Sequence, residues 1–180
     1  MLLRCIPLGA AVVLALAACS DQPTAPRQGL GSTPHASVTP GRVAMHRLFN
    51  AATNDHQYSV YPYTDTPPYT LEHYNYFFLE PAPTSGHIPL FICVPGASST
   101  SSDHWLSTDP GCEGRDVIVV EAYSGYMATS QLPGTVPLYR QYNALLDDTF
   151  HTISLSEAQY AEAHYNYSTP VLMGYVYLTE

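Results

Sequence analysis

Between residues 41 and 180, apolar and aromatic side chains fall in short runs punctuated by Gly, Pro, Asn and Ser, the pattern of a strand-rich chain. The last third reads most clearly. VPLYRQYN, Val136–Asn143, is rich in aromatic and β-branched residues and predicts a strand; ALLD, 144–147, predicts a turn; DTFHTI, Asp148–Ile153, predicts the returning strand. Ser154 and Glu157 have capping-box spacing, with Ser154 placed to cap and Glu157 to reach back, so a short helix is expected through about His164. Pro170 breaks the chain, and VLMGYVYL, Val171–Leu178, predicts a closing strand. The unit is β-β-α-β.

The same plan is legible earlier. VAMHRLFN (Val43–Asn50) and DHQYSV (Asp55–Val60) predict a hairpin, Pro67-Pro68 a helix start, and Phe77-Phe78-Leu79 a closing strand. His73-Tyr74-Asn75-Tyr76 recurs letter for letter as His164-Tyr165-Asn166-Tyr167. The middle stretch diverges: Ile88–Val94 and Asp103-His104-Trp105-Leu106 remain, DPGCEG replaces the helix, and Val117–Val120 and Gly125-Tyr126-Met127 supply strands. Phrases opening on Gly41, Gly86 and Gly134 share one form: Gly, any residue, β-branched, small or Pro, Leu or Met, aromatic. They start 45 and 48 residues apart. Asp55 and Asp148 each lie 14 residues after their glycine, and Asp103 lies 17 after its own. A period of this size points to a repeat architecture. The expectation is a mainly β domain with short helices, residues 41–180, made of three repeats (41–85, 86–133, 134–180). They would close around a pseudo-three-fold axis as a β-trefoil-like or small three-bladed assembly.

What precedes the domain is different in kind. Residues 1–18 carry one early Arg4 and an apolar run from Leu8 to Ala18, too short to span a bilayer, which reads as a secretory signal. It ends Leu16-Ala17-Ala18-Cys19, similar to a bacterial lipobox, and the likeness implies cleavage before Cys19 and lipid on its sulfur. Ser20 rather than Asp follows, which favours the outer membrane in a two-membrane cell. Residues 19–40, rich in Pro, Gly, Ser and Thr, read as a flexible tether. The expected location is the cell envelope, with the membrane met through the lipid anchor alone. Of four cysteines, Cys5 leaves with the signal and Cys19 takes lipid. Cys93 and Cys112 remain, and in an exported chain such a pair favours a disulfide.

Charge narrows the partners. The chain has 15 Asp and Glu against 6 cationic residues, all Arg, with a net charge of -9. No basic stripe exists to hold nucleic acid.

The hairpin phrases resemble a bacterial secreted repeat with the gist "YRLYN-x-x-T-G-D-H-F-Y-T", a Glu-containing short helix and a "G-x-x-Y" strand. That family is often attached to muramidases and other cell-wall hydrolases and is known as a domain of unknown function. His46-Arg47-Leu48-Phe49-Asn50 through Asp55-His56-Gln57-Tyr58-Ser59 follows it closely, as does Pro137–Asn143 with Asp148–Thr152; Thr149 stands where the family has His. The resemblance implies a non-catalytic extracellular module that binds glycan or cell-wall polymer.

The candidate ligand-binding residues are Asp55, His56, Tyr58, Asp103, His104, Trp105, Asn143 and Asp148, with Trp105 as a sugar platform and the aspartates as acceptors for sugar hydroxyls. The competing reading makes each Asp a hairpin device that accepts turn N–H groups, makes Asn50 and Asn143 turn starters, and pairs Arg47 and Arg140 with Asp55 and Asp148 or with Glu side chains. No catalytic signature, metal set or cofactor motif is present. A hydrolase using Asp-His pairs or separated carboxylates, and a protein-binding scaffold, are the alternatives.

Overall fold

The computed structural model describes residues 41–62, 69–96, 99–115 and 121–180. The readings made for residues 1–40, for Pro67-Pro68 and for Val117–Val120 lie outside them. The elements are β1 (Val43–Asn50), β2 (Asp55–Ser59), β3 (Thr70–Leu79), β4 (His87–Cys93), β5 (Trp105–Ser107), β6 (Glu121–Ala128), β7 (Thr135–Asn143), β8 (Asp148–Thr152), α1 (Leu155–Tyr165) and β9 (Val171–Tyr177). The chain is mainly β, with one α-helix among the described residues.

All nine strands join one open antiparallel sheet in the order β2-β1-β3-β9-β6-β4-β5, with β7 and β8 branching from β9. Three groups of strands share one arrangement, the first strand of each lying between its two successors: β2-β1-β3, β5-β4-β6 and β8-β7-β9. The groups meet through single pairings at the ends of their third strands, Phe78 with Tyr177, Ala128 with Tyr175, and Glu80 with Tyr126. The expected closed assembly is not what the strand order displays. Among the described residues, backbone pairing stops at β2, β5 and β8.

Local chemistry explains the hairpins. Four residues connect β1 to β2 and β7 to β8, and each turn ends on a left-handed residue, Asn54 (φ 58) and Asp147 (φ 53), types that tolerate that region. Asn50 Oδ1 accepts from Ala52 N–H, and Asn143 Oδ1 from Leu145 and Leu146 N–H, so both asparagines start the turn. The repeated His-Tyr-Asn-Tyr phrase sets a left-handed Asn both times, Asn75 (φ 48) inside β3 and Asn166 (φ 62) as the C-cap of α1. In β3 it makes an irregularity in pairing with β1; after α1 it ends a helix. The same four letters therefore serve in a strand and at a helix end.

Among the described residues, only the last group carries the expected helix. Ser154 caps it by accepting from Glu157 N–H, whereas the Glu157 carboxylate turns outward to other partners. In the middle group DPGCEG forms a single 3-10 turn, Cys112–Gly114, and Cys112 bonds Cys93 with a Cα–Cα distance of 5.9 Å.

The main core lies between the groups: Met45, Leu90 and Leu138 from the central strands, Tyr58 and Leu106 from the second strands, Phe77, Leu79, Met127 and Val176 from the third. Gly125 and Gly174 let the third strands approach. A Cβ on Gly174 would lie 2.8 Å from both the Ala128 carbonyl oxygen and Met127 Cε.

Candidate functional site

Two polar assemblies stand out. The first joins β2, β5 and β8. Asp148 accepts from His56 N–H at 2.8 Å and from His56 Nδ1 at 2.8 Å. Asp55 accepts from His104 N–H at 3.0 Å and from His104 Nδ1 at 2.6 Å. Asp103 accepts from Thr149 N–H and Thr149 Oγ1, both at 2.7 Å. Each aspartate thus binds the residue that follows the aspartate of another group, and the three pairs close a cycle. A third donor completes each carboxylate: Tyr167 on Asp148, Tyr69 on Asp55, and Arg115 Nη1 on Asp103 at 2.8 Å.

All three aspartates are fully buried. Burial raises the Asp103 carboxyl above its ordinary value even though Thr149 and Arg115 pull it down. Burial and the neighbouring carboxylates likewise raise the Tyr69 and Tyr167 phenols, which stay protonated donors. One oxygen from each aspartate lies within 4.8 Å of the others, a spacing that could serve a hard cation. The nine donors already aimed at these carboxylates account for them as structural acceptors.

The second assembly is an open cavity of about 410 Å³ between the first group and α1 with the β7–β8 turn. Phe49, Phe150, Tyr160, Tyr165 and Tyr167 supply ring walls; Arg47, His56, Glu72 and Glu157 supply polar groups. Tyr160 and Tyr165, each 55% exposed, meet edge-on with centroids 5.7 Å apart. Phe49, His56, Phe150 and Tyr167 form a ladder of rings with centroid spacings of 4.8, 4.8 and 5.6 Å.

Arg47 organises the polar side. Its guanidinium is buried and donates from Nε to Glu72 at 2.7 Å, from Nη1 to Tyr76 at 3.1 Å and to Glu157 at 3.2 Å, and from Nη2 to Glu157 at 2.9 Å. Burial works against its charge, but the Glu157 hydrogen bond and the surrounding groups hold its proton more tightly than usual. Burial also pushes the Glu157 carboxyl upward. The Arg47 contact, with Thr152 and Tyr76, outweighs it and holds Glu157 below the ordinary range. His56 links both assemblies. Its Nδ1 meets Asp148, and its Nε2 lies 4.0 Å from Glu72 Oε2.

The residues expected to bind ligand separate accordingly. His56 lines the cavity. Asp55, Asp103 and Asp148, with His104, build the cycle. The aspartates do act as acceptors of backbone N–H groups, but across groups rather than within their own turns. Tyr58 is buried and bridges the His151 backbone, donating to its carbonyl and accepting from its N–H, both at 2.7 Å. Trp105 is 1% exposed, packed on the Cys93–Cys112 disulfide and under Arg115, whose Cζ lies 4.0 Å from the ring centroid. Neither face of the indole is open to a sugar. Asn143 is buried in its turn, with Nδ2 donating to the Tyr165 carbonyl. Arg47 and Arg140 take the glutamate option, Arg140 pairing with Glu113.

Glu72, Tyr160 and Tyr165 were not among the expected site residues. No local motif marks Glu72 or Tyr160, and the His-Tyr-Asn-Tyr repeat that contains Tyr165 does not mark it as a wall, because the cavity forms only when α1 of the last group packs beside β1 and β3 of the first. Glu157 was legible as a capping residue, and its side chain serves Arg47 instead.

No curated protein and no solved structure matches this chain. Residues 98–177, which take in β5 to β9, match the model of a domain of unknown function, DUF5648.

Proposed function

We propose that residues 41–180 form a non-catalytic module that binds saccharide in the cavity between the first group and α1. The observation that carries this reading is the wall itself: two exposed tyrosine rings beside two carboxylates fixed on a buried arginine. Ring faces pack against the C–H face of a sugar, and ionised carboxylates accept hydrogen bonds from its hydroxyls. A glycosidase would need one carboxyl held protonated near neutral pH. Glu157 is pulled the other way by Arg47, which favours binding over hydrolysis.

The wider reading has its own support. The three groups share one strand order, and their aspartates form one cycle, as copies of a single unit around a pseudo-three-fold axis would. The lipobox-like Leu16-Ala17-Ala18-Cys19 and the tether after it suit a lipid-anchored envelope protein that reaches polymer outside the membrane.

Calorimetric titration of the full chain with peptidoglycan fragments and soluble polysaccharides tests the reading. Binding is expected, with Tyr165→Ala weakening it by about tenfold, or about 1.4 kcal/mol, and Trp105→Phe leaving it unchanged. Absence of binding across the panel, or undiminished binding by Tyr165→Ala, would remove the cavity as a saccharide site and favour a protein partner.

A further inference from the structure

Resting on the saccharide reading, we propose that the cavity selects a sugar carrying a free, protonated amine, as in a deacetylated amino-sugar oligomer, over its N-acetylated or acidic counterparts. The argument begins with which charges the cavity shows. Arg47 brings one positive charge and Glu72 and Glu157 bring two negative ones; His56, positive only when protonated, sits on the Asp148 carboxylate, which offsets it. The Arg47 side chain is 2% exposed, whereas those of Glu72 and Glu157 are 36% and 37% exposed. The guanidinium sits behind the carboxylates, and what faces a ligand is an excess of negative charge.

The donors point the same way. Arg47 Nε, Nη1 and Nη2 all donate to residues of the protein, so an acidic sugar would meet two carboxylates and an arginine already engaged. An ammonium is itself a triple donor and would complete the remaining acceptor capacity of Glu72 and of Glu157 Oε1, since Glu157 Oε2 is already taken by Arg47, Tyr76 and Thr152. The exposed faces of Tyr160 and Tyr165 add the negative pole of their rings, which attracts a cation more strongly than a neutral acetamide. At longer range the chain carries 15 acidic residues against 6 arginines and no lysine, a field that draws cations toward the surface.

The test titrates the full chain at about pH 6, where a sugar amine is protonated, with four ligands: a glucosamine tetramer, its fully N-acetylated form, a galacturonate tetramer and tetralysine. The glucosamine tetramer is expected to bind about tenfold more tightly than the acetylated form, with the difference falling as salt is raised. Glu72→Gln should shrink the ratio to about threefold or less by weakening the amine ligand alone. Tyr165→Ala should weaken both sugars and lower the ratio in part, since it removes a ring face that favours the cation, and its unfolding midpoint shows whether a loss reflects misfolding. Equal or tighter binding of the acetylated sugar would overturn the amine preference while leaving the saccharide reading in place. Binding of no sugar at all would overturn both. Tetralysine binding as tightly as the amino sugar would replace this proposal with recognition of a basic peptide.

Discussion

His56 donates twice to Asp148, from its backbone N–H and from its ring, across 92 residues of sequence. Asp148 is fully buried and takes a third hydrogen bond from Tyr167. Truncation therefore orphans three donors at once. Asp148→Ala is expected to lower stability by about 3–5 kcal/mol, since each buried donor left without its acceptor costs about 1–3 kcal/mol. Urea denaturation checks this, and a loss below about 1 kcal/mol would mean that the cycle does not hold the groups together.

Thr149 fills the position that His56 and His104 occupy beside the other aspartates. Its hydroxyl and N–H both donate to Asp103. Thr149→Val keeps the shape and the backbone bond and removes only the hydroxyl. The expected cost is about 1–3 kcal/mol, because Asp103 is left short of a donor in a dry site. An unchanged denaturation midpoint would show that Arg115 and the backbone suffice.

His151 gives the fold a pH dependence. Its ring is fully buried beside Tyr58 and close to the Leu106 and Thr149 backbone, with no side-chain partner for either ring nitrogen among the described residues. Burial, with Arg140 adding repulsion, holds its imidazole well below the usual value. The unfolded chain takes up a proton below about pH 6.5 and the folded chain does not, so stability is full above that pH and falls as pH drops, by up to about 1.4 kcal/mol per unit. His46, also lowered by burial and accepting from Asn75 N–H at Nδ1, acts in the same direction. Glu113 and Glu157, held low by arginines, add losses only below their usual range. Asp103, held high, opposes the trend in acid. Unfolding measured from pH 7 to pH 5 should show the decline, and His151→Phe should flatten it. An unaltered slope in that variant would assign the decline elsewhere.

The Cys93–Cys112 disulfide, with a sequence separation of 19, closes a loop that contains β5 and ends where the 3-10 turn begins. Replacing both cysteines with serine is expected to lower stability by roughly 3 kcal/mol. The part affected should be the middle group, seen as faster amide exchange in β4 and β5 than in β7 and β8. Uniform acceleration across all strands would show that the link supports the whole core.

Much of the fold could be read before any coordinates. The Val43–Asn50 strand was bounded to the residue, and the hairpin turns, the Ser154 cap and the cysteine pair followed from local chemistry, because each depends on residues close in sequence or on simple pairing. The functional assemblies did not. The recurrence of Asp55, Asp103 and Asp148 was visible, but not that each serves another group's backbone, since that depends on which strand edges meet. Trp105 drew notice as the single tryptophan, yet its neighbours, a disulfide and Arg115, bury it. The cavity is not legible in the sequence because it joins Arg47 to Glu157 over 110 residues, and neither Glu72 nor the repeated phrase around Tyr165 says which distant element it will meet.

The carboxylate cycle also limits how this protein could be cut or extended. In a linear array, every unit contacts the next and the two ends are free, so copies can be added or removed. Here each of the three aspartates gives its acceptor to one group and each group receives from another. Deleting one group would leave one buried carboxylate without its two principal donors and one donor pair without its acceptor. Inserting a fourth would require every contact angle at the centre to change together. The cycle as built thus accommodates three groups, and losing or adding one breaks contacts on both sides of the change.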